Sequence, residues 1–184
     1  MLKSHQSHIS ALRALGDPDK AFDGAFSVVA FVLNRYIIDH MLRSGRRLTG
    51  DDFEALVIWG VLAHQNVAHL MPPGSLPTAI LTEKGRLAGG IEGLRPLRLR
   101  DIAQITGIPR ETVRRKLGRL EADRYVQRTP DGWIVSAARV EPELREFTRE
   151  SVYRMLAVAD EIMLALKDAD QHTQTSRSRK SRQA

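Results

Sequence analysis

The sequence predicts a mainly α-helical fold with one small β-hairpin: a winged helix-turn-helix flanked by long N- and C-terminal helices. Residues 99–135 contain a short apolar helix, a Gly-Ile-Pro turn, an arginine-rich helix and a Pro-Asp-Gly hairpin, in that order. This order builds a winged unit, in which one helix braces the next from behind. Residues 22–41 and 144–166 carry apolar side chains at helical spacing, which predicts the two long helices.

The first long helix is expected to begin at Asp17 and Pro18, because aspartate is a good N-cap residue and proline fits the first turn. Residues 1–16 are expected to be flexible. The apolar stripe of this helix is too broad for the surface of a monomer and favours a partner helix. It consists of Phe22, Phe26, Val29, Val32, Leu33, Tyr36, Ile37 and Met41. The helix is expected to end at residues 43–45, Arg-Ser-Gly.

A second helix is expected to begin after residues 49–52 and to end at residues 71–74, where two prolines stop it. Residues 72–96 contain four prolines and five glycines, which predicts an irregular connection. Within it, residues 80–87 fit either one helical turn or a short strand. Residues 17–96 together are expected to form N-terminal helices and a loop that take part in dimerisation.

Residues 97–139 are predicted to form the winged helix-turn-helix. In the arginine-rich helix, Val113, Leu117 and Leu120 share one arc, which can pack on the helix before it. Residues 129–132 read Thr-Pro-Asp-Gly, a turn sequence between two short β-rich runs. The winged unit therefore has both a candidate recognition helix and a candidate wing.

Positive charge is concentrated in the winged unit. Residues 95–139 carry eleven basic and five acidic side chains, whereas residues 1–94 carry nine of each. Arginine makes bidentate contacts with guanine or phosphate, so double-stranded DNA is the expected partner. Glu111 lies among the arginines, and a glutamate there either reads a cytosine amino group or orients an arginine. Glu111 is therefore a candidate for sequence specificity.

The segment GIPRETVRRKL, residues 107–117, resembles the helix-turn-helix of the cyclic-AMP receptor protein family, which shares its Gly-x-x-Arg-Glu-Thr-Val-x-Arg pattern. The resemblance implies base contacts for Arg110, Glu111 and Arg115. It also implies a phosphate contact for Thr112. The resemblance is limited to the winged unit, and no glycine-punctuated β-roll precedes it. A cyclic-nucleotide sensor is therefore not expected.

Three further arginines, Arg114, Arg119 and Arg128, are expected to contact the DNA backbone. Arg128 lies near the tip of the hairpin, within reach of phosphate or the minor groove. Lys116 stands where the cyclic-AMP receptor protein family usually has an aliphatic residue. Its stem can lie along the edge of the core while its ammonium group stays in water.

Residues 140–168 are predicted to form a C-terminal dimerisation helix. Residues 141–143 read Glu-Pro-Glu, an acidic start that suits the helix dipole. Apolar residues then recur three and four positions apart, which predicts a seam for another helix. Beyond Asp170 the terminal alanine is the only aliphatic residue, so residues 169–184 are expected to be a disordered basic tail.

The order of these parts resembles that of multiple-antibiotic-resistance-type (MarR-like) regulators. The resemblance implies a homodimer in which the outer helices pair, and it leaves room for a small-molecule effector of unknown identity. The predicted function is a sequence-specific, DNA-binding transcription regulator. A winged helix that binds structured RNA or another protein is the alternative that the sequence leaves open.

Several other functions lack the residues that they need. The chain has no cysteine, which excludes disulfides, thiolate zinc sites and cysteine nucleophiles. His64 and His69 are five residues apart, a spacing poorly suited to one metal ion. No catalytic residue, cofactor or metal site is predicted. The N-terminus lacks a signal-peptide pattern and no uncharged apolar window of about 18 residues occurs, so a cytoplasmic protein is expected.

Overall fold

The structure, a computed structural model, describes residues 8–70 and 93–181. Its elements are α1 (His8–Arg13), α2 (Pro18–Thr49), α3 (Phe53–Val67), a 3-10 turn (Ala68–Leu70), α4 (Leu99–Thr106), α5 (Arg110–Ala122), β1 (Val126–Thr129), β2 (Gly132–Val135) and α6 (Ala137–Ser181). The predicted fold class is confirmed, because the described chain is mostly helical and an antiparallel hairpin follows the helix-turn-helix.

The chain divides into two compact units. The first unit contains Met1–Leu42 and Glu146–Ala184, and the second contains Arg43–Arg145. Both long helices, α2 and α6, contribute to each unit. The two units have separate cores.

In the first unit, α2 packs antiparallel to α6. The core consists of Ala11, Ala21, Ala25, Val29, Met163 and Leu166, all buried. Small residues let the helices approach closely, because a Cβ added to Gly24 would lie 3.2 Å from Ala169 Cβ. Exposed ion pairs join the same helices, with Arg35 Nη2 at 2.6 Å from Glu161 Oε2 and Arg154 Nη1 at 3.4 Å from Asp39 Oδ2. Their order along the two helices fixes the antiparallel arrangement.

Helix α2 begins at Pro18, as predicted, and Asp17 Oδ1 accepts a hydrogen bond from the Lys20 amide. The predicted end at residues 43–45 is wrong, because α2 continues to Thr49. A Cβ on Gly45 would lie 2.9 Å from the Phe53 ring, and this glycine therefore serves close packing rather than termination. The helix stops at Gly50, whose φ of 59° suits glycine at a helix end.

Helix α2 is long and apolar enough to cross a membrane by length and composition, with a mean hydropathy of 1.4 over its most apolar window. Core helices of soluble proteins meet the same criterion. Ala21, Ala25 and Val29 of this helix are buried against α6, which accounts for part of its apolar character. The length and hydropathy of α2 are therefore weak evidence for a membrane-spanning helix.

Two expectations about the termini differ from the structure. Residues 169–184 were expected to be disordered, but α6 continues to Ser181. Its last part is tied to the rest of the first unit, since Asp170 Oδ2 accepts hydrogen bonds from the Gly16 amide at 3.2 Å and from Gln174 Nε2 at 2.7 Å. Within the N-terminal segment expected to be flexible, residues 8–13 form α1, and His8 Nε2 lies 2.9 Å from Asp160 Oδ1.

In the second unit, α3 is the element on which the winged unit is built. It packs against α4, α5 and β2. Ile58 and Leu62 of α3 are fully buried, as are Ile102 of α4 and Val113 and Leu117 of α5. Helix α3 begins after residues 49–52, as expected, and Asp52 is its N-cap, with Oδ1 accepting a hydrogen bond from the Ala55 amide at 3.0 Å. Helix α3 ends at Val67 and the 3-10 turn at Leu70, before the predicted stop at residues 71–74. That stop and most of the predicted irregular connection 72–96, including 80–87, lie outside the described residues.

The wing is held to α3 by Asn66, which is fully buried. Its Nδ2 donates to the carbonyls of Arg95 at 2.7 Å and Trp133 at 3.3 Å, and its Oδ1 accepts from the Val135 amide at 2.9 Å. One amide therefore fixes three backbone positions around the hairpin. Because buried polar groups that lose a partner cost about 1–3 kcal/mol each, this geometry is strongly specified.

The hairpin pairs Val126 with Val135 and Thr129 with Gly132, close to the predicted strands. Leu97 extends this ladder, since it exchanges backbone hydrogen bonds of 2.9 and 3.0 Å with Trp133. Gly132 has a φ of 149°, and a Cβ there would lie 2.6 Å from the Leu97 carbonyl oxygen. Only glycine fits at this crossing of the wing and the segment that leads into α4.

Candidate nucleic-acid interface

The candidate recognition helix is α5. It follows α4 after a turn at Gly107, whose φ of 69° is the left-handed conformation that glycine adopts without strain. Its buried residues are Val113, Lys116, Leu117 and Leu120. The three apolar ones are the core residues predicted from their spacing. Their burial leaves the opposite side of α5 in solvent.

The exposed side of α5 forms a shallow concave face, called here the reading face. It is lined by Glu111, Thr112, Arg114, Arg115 and Gly118. Glu111, Arg115 and Gly118 are four and three residues apart, which places them on one side of the helix. On this face two predicted base readers, Glu111 and Arg115, lie beside the predicted phosphate ligand Thr112.

Glu111 is paired with an arginine in the free protein. Its Oε1 accepts a hydrogen bond from Arg114 Nε, three residues later on α5. Both side chains are about 70% exposed, at 71% and 70%. Of the two uses that the sequence allowed for Glu111, the orientation of an arginine is the one present here.

Arg110 and Arg119, also predicted to contact DNA, are not among the residues that line the reading face. Arg110 lines a cleft beside the wing, and it also shares a depression with Leu99 and with Glu111 and Arg114 of the reading face. Arg119 lines a hollow that also contains Asp52 and Tyr125, on the side of α5 toward the start of α3. The predicted set is therefore divided among three surfaces.

The cleft beside the wing has a volume of about 320 Å³. It brings Arg128 of β1, predicted to contact the backbone, together with Arg110. Two more arginines line it, Arg98 and Arg100, which sequence reasoning did not select. The sequence did contain an indication of their role, because both arginines flank Leu99, the first residue of α4.

Lys116 joins the recognition helix to α3. Its Nζ lies 2.7 and 2.6 Å from the two Asp52 carboxylate oxygens and 3.3 Å from Glu54 Oε2. Its side chain is only 11% exposed. The expectation that this ammonium group stays in water is wrong, because two carboxylates on α3 replace the water.

The pKa of the Asp52 carboxyl lies below its ordinary value. Burial acts to raise this pKa, but hydrogen bonds from Lys116 and from the Ala55 amide outweigh burial, with further help from the charges of Lys116 and Arg119. Asp52 therefore caps α3 and neutralises the buried cation of α5 at the same time.

Residues 91–130 match the IclR helix-turn-helix domain family. The domains of this family bind DNA. The matched segment includes α4, α5 and β1, and it supports a helix-turn-helix transcription regulator. The resemblances to the cyclic-AMP receptor protein and MarR-like families are not confirmed. No curated protein and no solved structure matches the chain significantly.

In the described ranges, 8–70 and 93–181, no group of three or more histidine or acidic side chains is arranged to hold a metal ion. His64 on α3 is exposed, and His69 on the following 3-10 turn is half-buried. The chemistry available in the second unit is dominated by arginine.

We expect Asp52→Asn to lower the free energy of unfolding at pH 7 by about 2 kcal/mol, because it leaves a mostly buried ammonium group with Glu54 as its remaining partner. The asparagine retains an oxygen that can cap α3. Lys116→Met removes the cation itself and should cost less. Urea denaturation of the three proteins measures both differences.

The effect of Asp52→Asn should also depend on pH. Since the folded-state pKa of Asp52 is lowered, its contribution is complete above the unfolded pKa of about 3.9 and is lost as the pH falls through the folded value. The stabilities of wild type and variant should converge below about pH 4. A constant difference from pH 7 to pH 3 would contradict this contribution of the ion pair.

Proposed function

We propose that the protein is a cytoplasmic, sequence-specific transcription regulator that binds double-stranded DNA as a homodimer. The observation that carries the proposal is the reading face of α5, which is exposed, arginine-rich and braced from behind by α3 and α4. An α-helix of this kind fits the major groove of B-form DNA. The match to a DNA-binding helix-turn-helix family supports the same partner.

Within the reading face, Arg115 and Glu111 are proposed to read base edges, and Thr112 and Arg114 to contact the adjoining backbone. Arg115 has no carboxylate partner among the described residues, so its guanidinium group is available to guanine. Glu111 holds Arg114 in the free protein. On DNA the same carboxylate can accept from a cytosine amino group while Arg114 turns to phosphate.

The first unit supports the homodimer. Large apolar side chains on its two long helices are 40–71% exposed. They are Phe22, Phe26, Val28, Phe31, Leu33, Ile37, Ile38, Met41 and Leu42 of α2, and Val152, Tyr153, Met155, Leu156 and Leu164 of α6. A stable interface buries about 800 Å² per partner, and exposed apolar side chains of this kind favour such burial. A second copy of the same unit would cover this surface as a helical bundle.

A homodimer also fits the way such helices read DNA. Two recognition helices related by a two-fold axis reach half-sites about one helical turn apart. Of residues 17–96, which were expected to take part in dimerisation, α2 is proposed to do so together with residues 140–168. Residues 97–139 are proposed as the DNA-binding region. No enzymatic activity is proposed, since the chemistry of the described second unit is that of anion binding. A small-molecule effector remains a prediction.

Binding to structured RNA is the alternative. Selection of bound molecules from a random duplex-DNA pool, with duplex RNA as competitor, tests the proposal directly. Enrichment of one palindromic sequence at physiological salt is expected. Equal competition by RNA, or no enrichment of any sequence, would contradict specific DNA binding.

We expect Arg115→Ala to change the preferred base at one position of each half-site and to weaken binding to the selected sequence by about 1–3 kcal/mol. The physical reason is the loss of a bidentate contact to a base edge. Repeating the selection with the variant measures the change. Arg149→Ala, an exposed arginine on α6 with the same change in charge, is the matched control and should retain the wild-type preference.

We expect Phe26→Glu to convert the dimer to a monomer, because it places a charge in the apolar surface of α2. Sedimentation at micromolar concentration gives the mass. Val57→Glu on α3, where the valine is also exposed, is the control and should leave the dimer intact. A wild-type monomer, or a wild-type protein that floats with lipid vesicles, would show that a second copy does not cover this surface.

A further inference from the structure

The cleft beside the wing gathers positive charge that the protein itself does not neutralise. Four arginines line it: Arg98 just before α4, Arg100 within α4, Arg110 on α5 and Arg128 on β1. Arg100 is engaged by Asp101, with Nε at 3.2 Å from Oδ1. Arg98, Arg110 and Arg128 have no carboxylate partner within ion-pair distance among the described residues, and Asp131 is the one acidic residue in the lining.

An anion bound in the cleft would offset the positive charge of the three arginines that line it. Arginine presents its N–H groups as a planar fork that matches two oxygens of a phosphate. The walls of the cleft are held in place, because Asn66 fixes the wing and Leu97 pairs with Trp133 directly behind it. The cleft therefore has walls that are held in place by hydrogen bonds, and it adjoins the reading face through Arg110.

We propose, on the basis of the proposed function, that Arg98, Arg110 and Arg128 bind one backbone phosphate of the DNA duplex. Arg110 is then a positioning residue that sets the depth and angle of α5 in the groove, and it does not read a base. This differs from the base contact that the cyclic-AMP receptor protein resemblance implied. Sequence readout is left to the reading face, where Arg115 lies.

The test uses the duplex recovered by selection and the salt dependence of its binding. Each phosphate contact contributes about 0.9 to the slope of log K against log salt concentration. Arg110→Ala should reduce the slope by about one contact and weaken binding to every duplex by a similar factor. Arg110→Lys, which keeps the charge without the fork, should restore the slope but only part of the affinity. The control variant Arg149→Ala should change neither the slope nor the affinity.

A second measurement locates the phosphate. Single methylphosphonate substitutions along the duplex remove one backbone charge at a time. One position should weaken wild-type binding at least fivefold and leave Arg110→Ala and Arg98→Ala unaffected. If Arg110→Ala instead changes the preferred base and keeps the wild-type slope, the assignment is wrong. If the wild-type protein binds no duplex, the proposed function fails, which is a separate result.

A different observation concerns Gly118. This glycine lies in the middle of α5 at the reading face, and a Cβ there would meet no atom within 4 Å. Nothing inside the protein requires a glycine at this position, and glycine is among the poorest helix formers. We infer that the missing side chain lets the DNA approach the backbone of α5 closely.

Gly60 provides a matched control, since it lies within α3 and a Cβ there would also meet no atom within 4 Å. Gly118→Leu and Gly60→Leu should both raise the midpoint of thermal unfolding. Only Gly118→Leu should weaken binding to the selected duplex, by tenfold or more, and Gly118→Ala should have a smaller effect in the same direction. Wild-type affinity in both Gly118 variants would overturn the inference.

Discussion

The buried amide of Asn66 is the interaction on which the winged unit depends. A fully buried asparagine is stable only if its donors and its acceptor find partners, and here they bind the backbone at residues 95, 133 and 135. No apolar side chain could satisfy those three backbone groups. The amide therefore specifies one position of the wing against α3, and apolar packing alone would allow several.

Asp52 does at the N-terminus of α3 what Asn66 does near its C-terminus. It binds Lys116 of the recognition helix, while Asn66 binds the wing. A single helix, Phe53–Val67, thereby sets the separation between α5 and the hairpin. The arginines of the cleft beside the wing come from elements that pack on α3 or on its neighbours, so their positions are set by the fold of the second unit.

The local parts of this arrangement could be predicted, and the distant pairings could not. Val113, Leu117 and Leu120 repeat at helical spacing, so the buried arc of α5 follows from a window of eight residues. Asp52 is 64 residues from Lys116, and a lysine at a core position gives no sign of which carboxylate it will meet. The end of α2 was misplaced for a related reason, because Gly45 contacts Phe53 and only the folded chain brings those residues together.

The supports of the recognition helix are rigid, whereas its reading face can rearrange at little cost. The Glu111–Arg114 pair is exposed, and an exposed ion pair stabilises a protein by about 0–1 kcal/mol. A good bidentate contact to a base contributes about 1–3 kcal/mol. In the proposed complex, DNA would therefore replace the pair with its own groups, and the exchange would still be favourable. A buried pair could not be exchanged in this way, and the protein places its one buried cation of α5, Lys116, on the side away from the reading face.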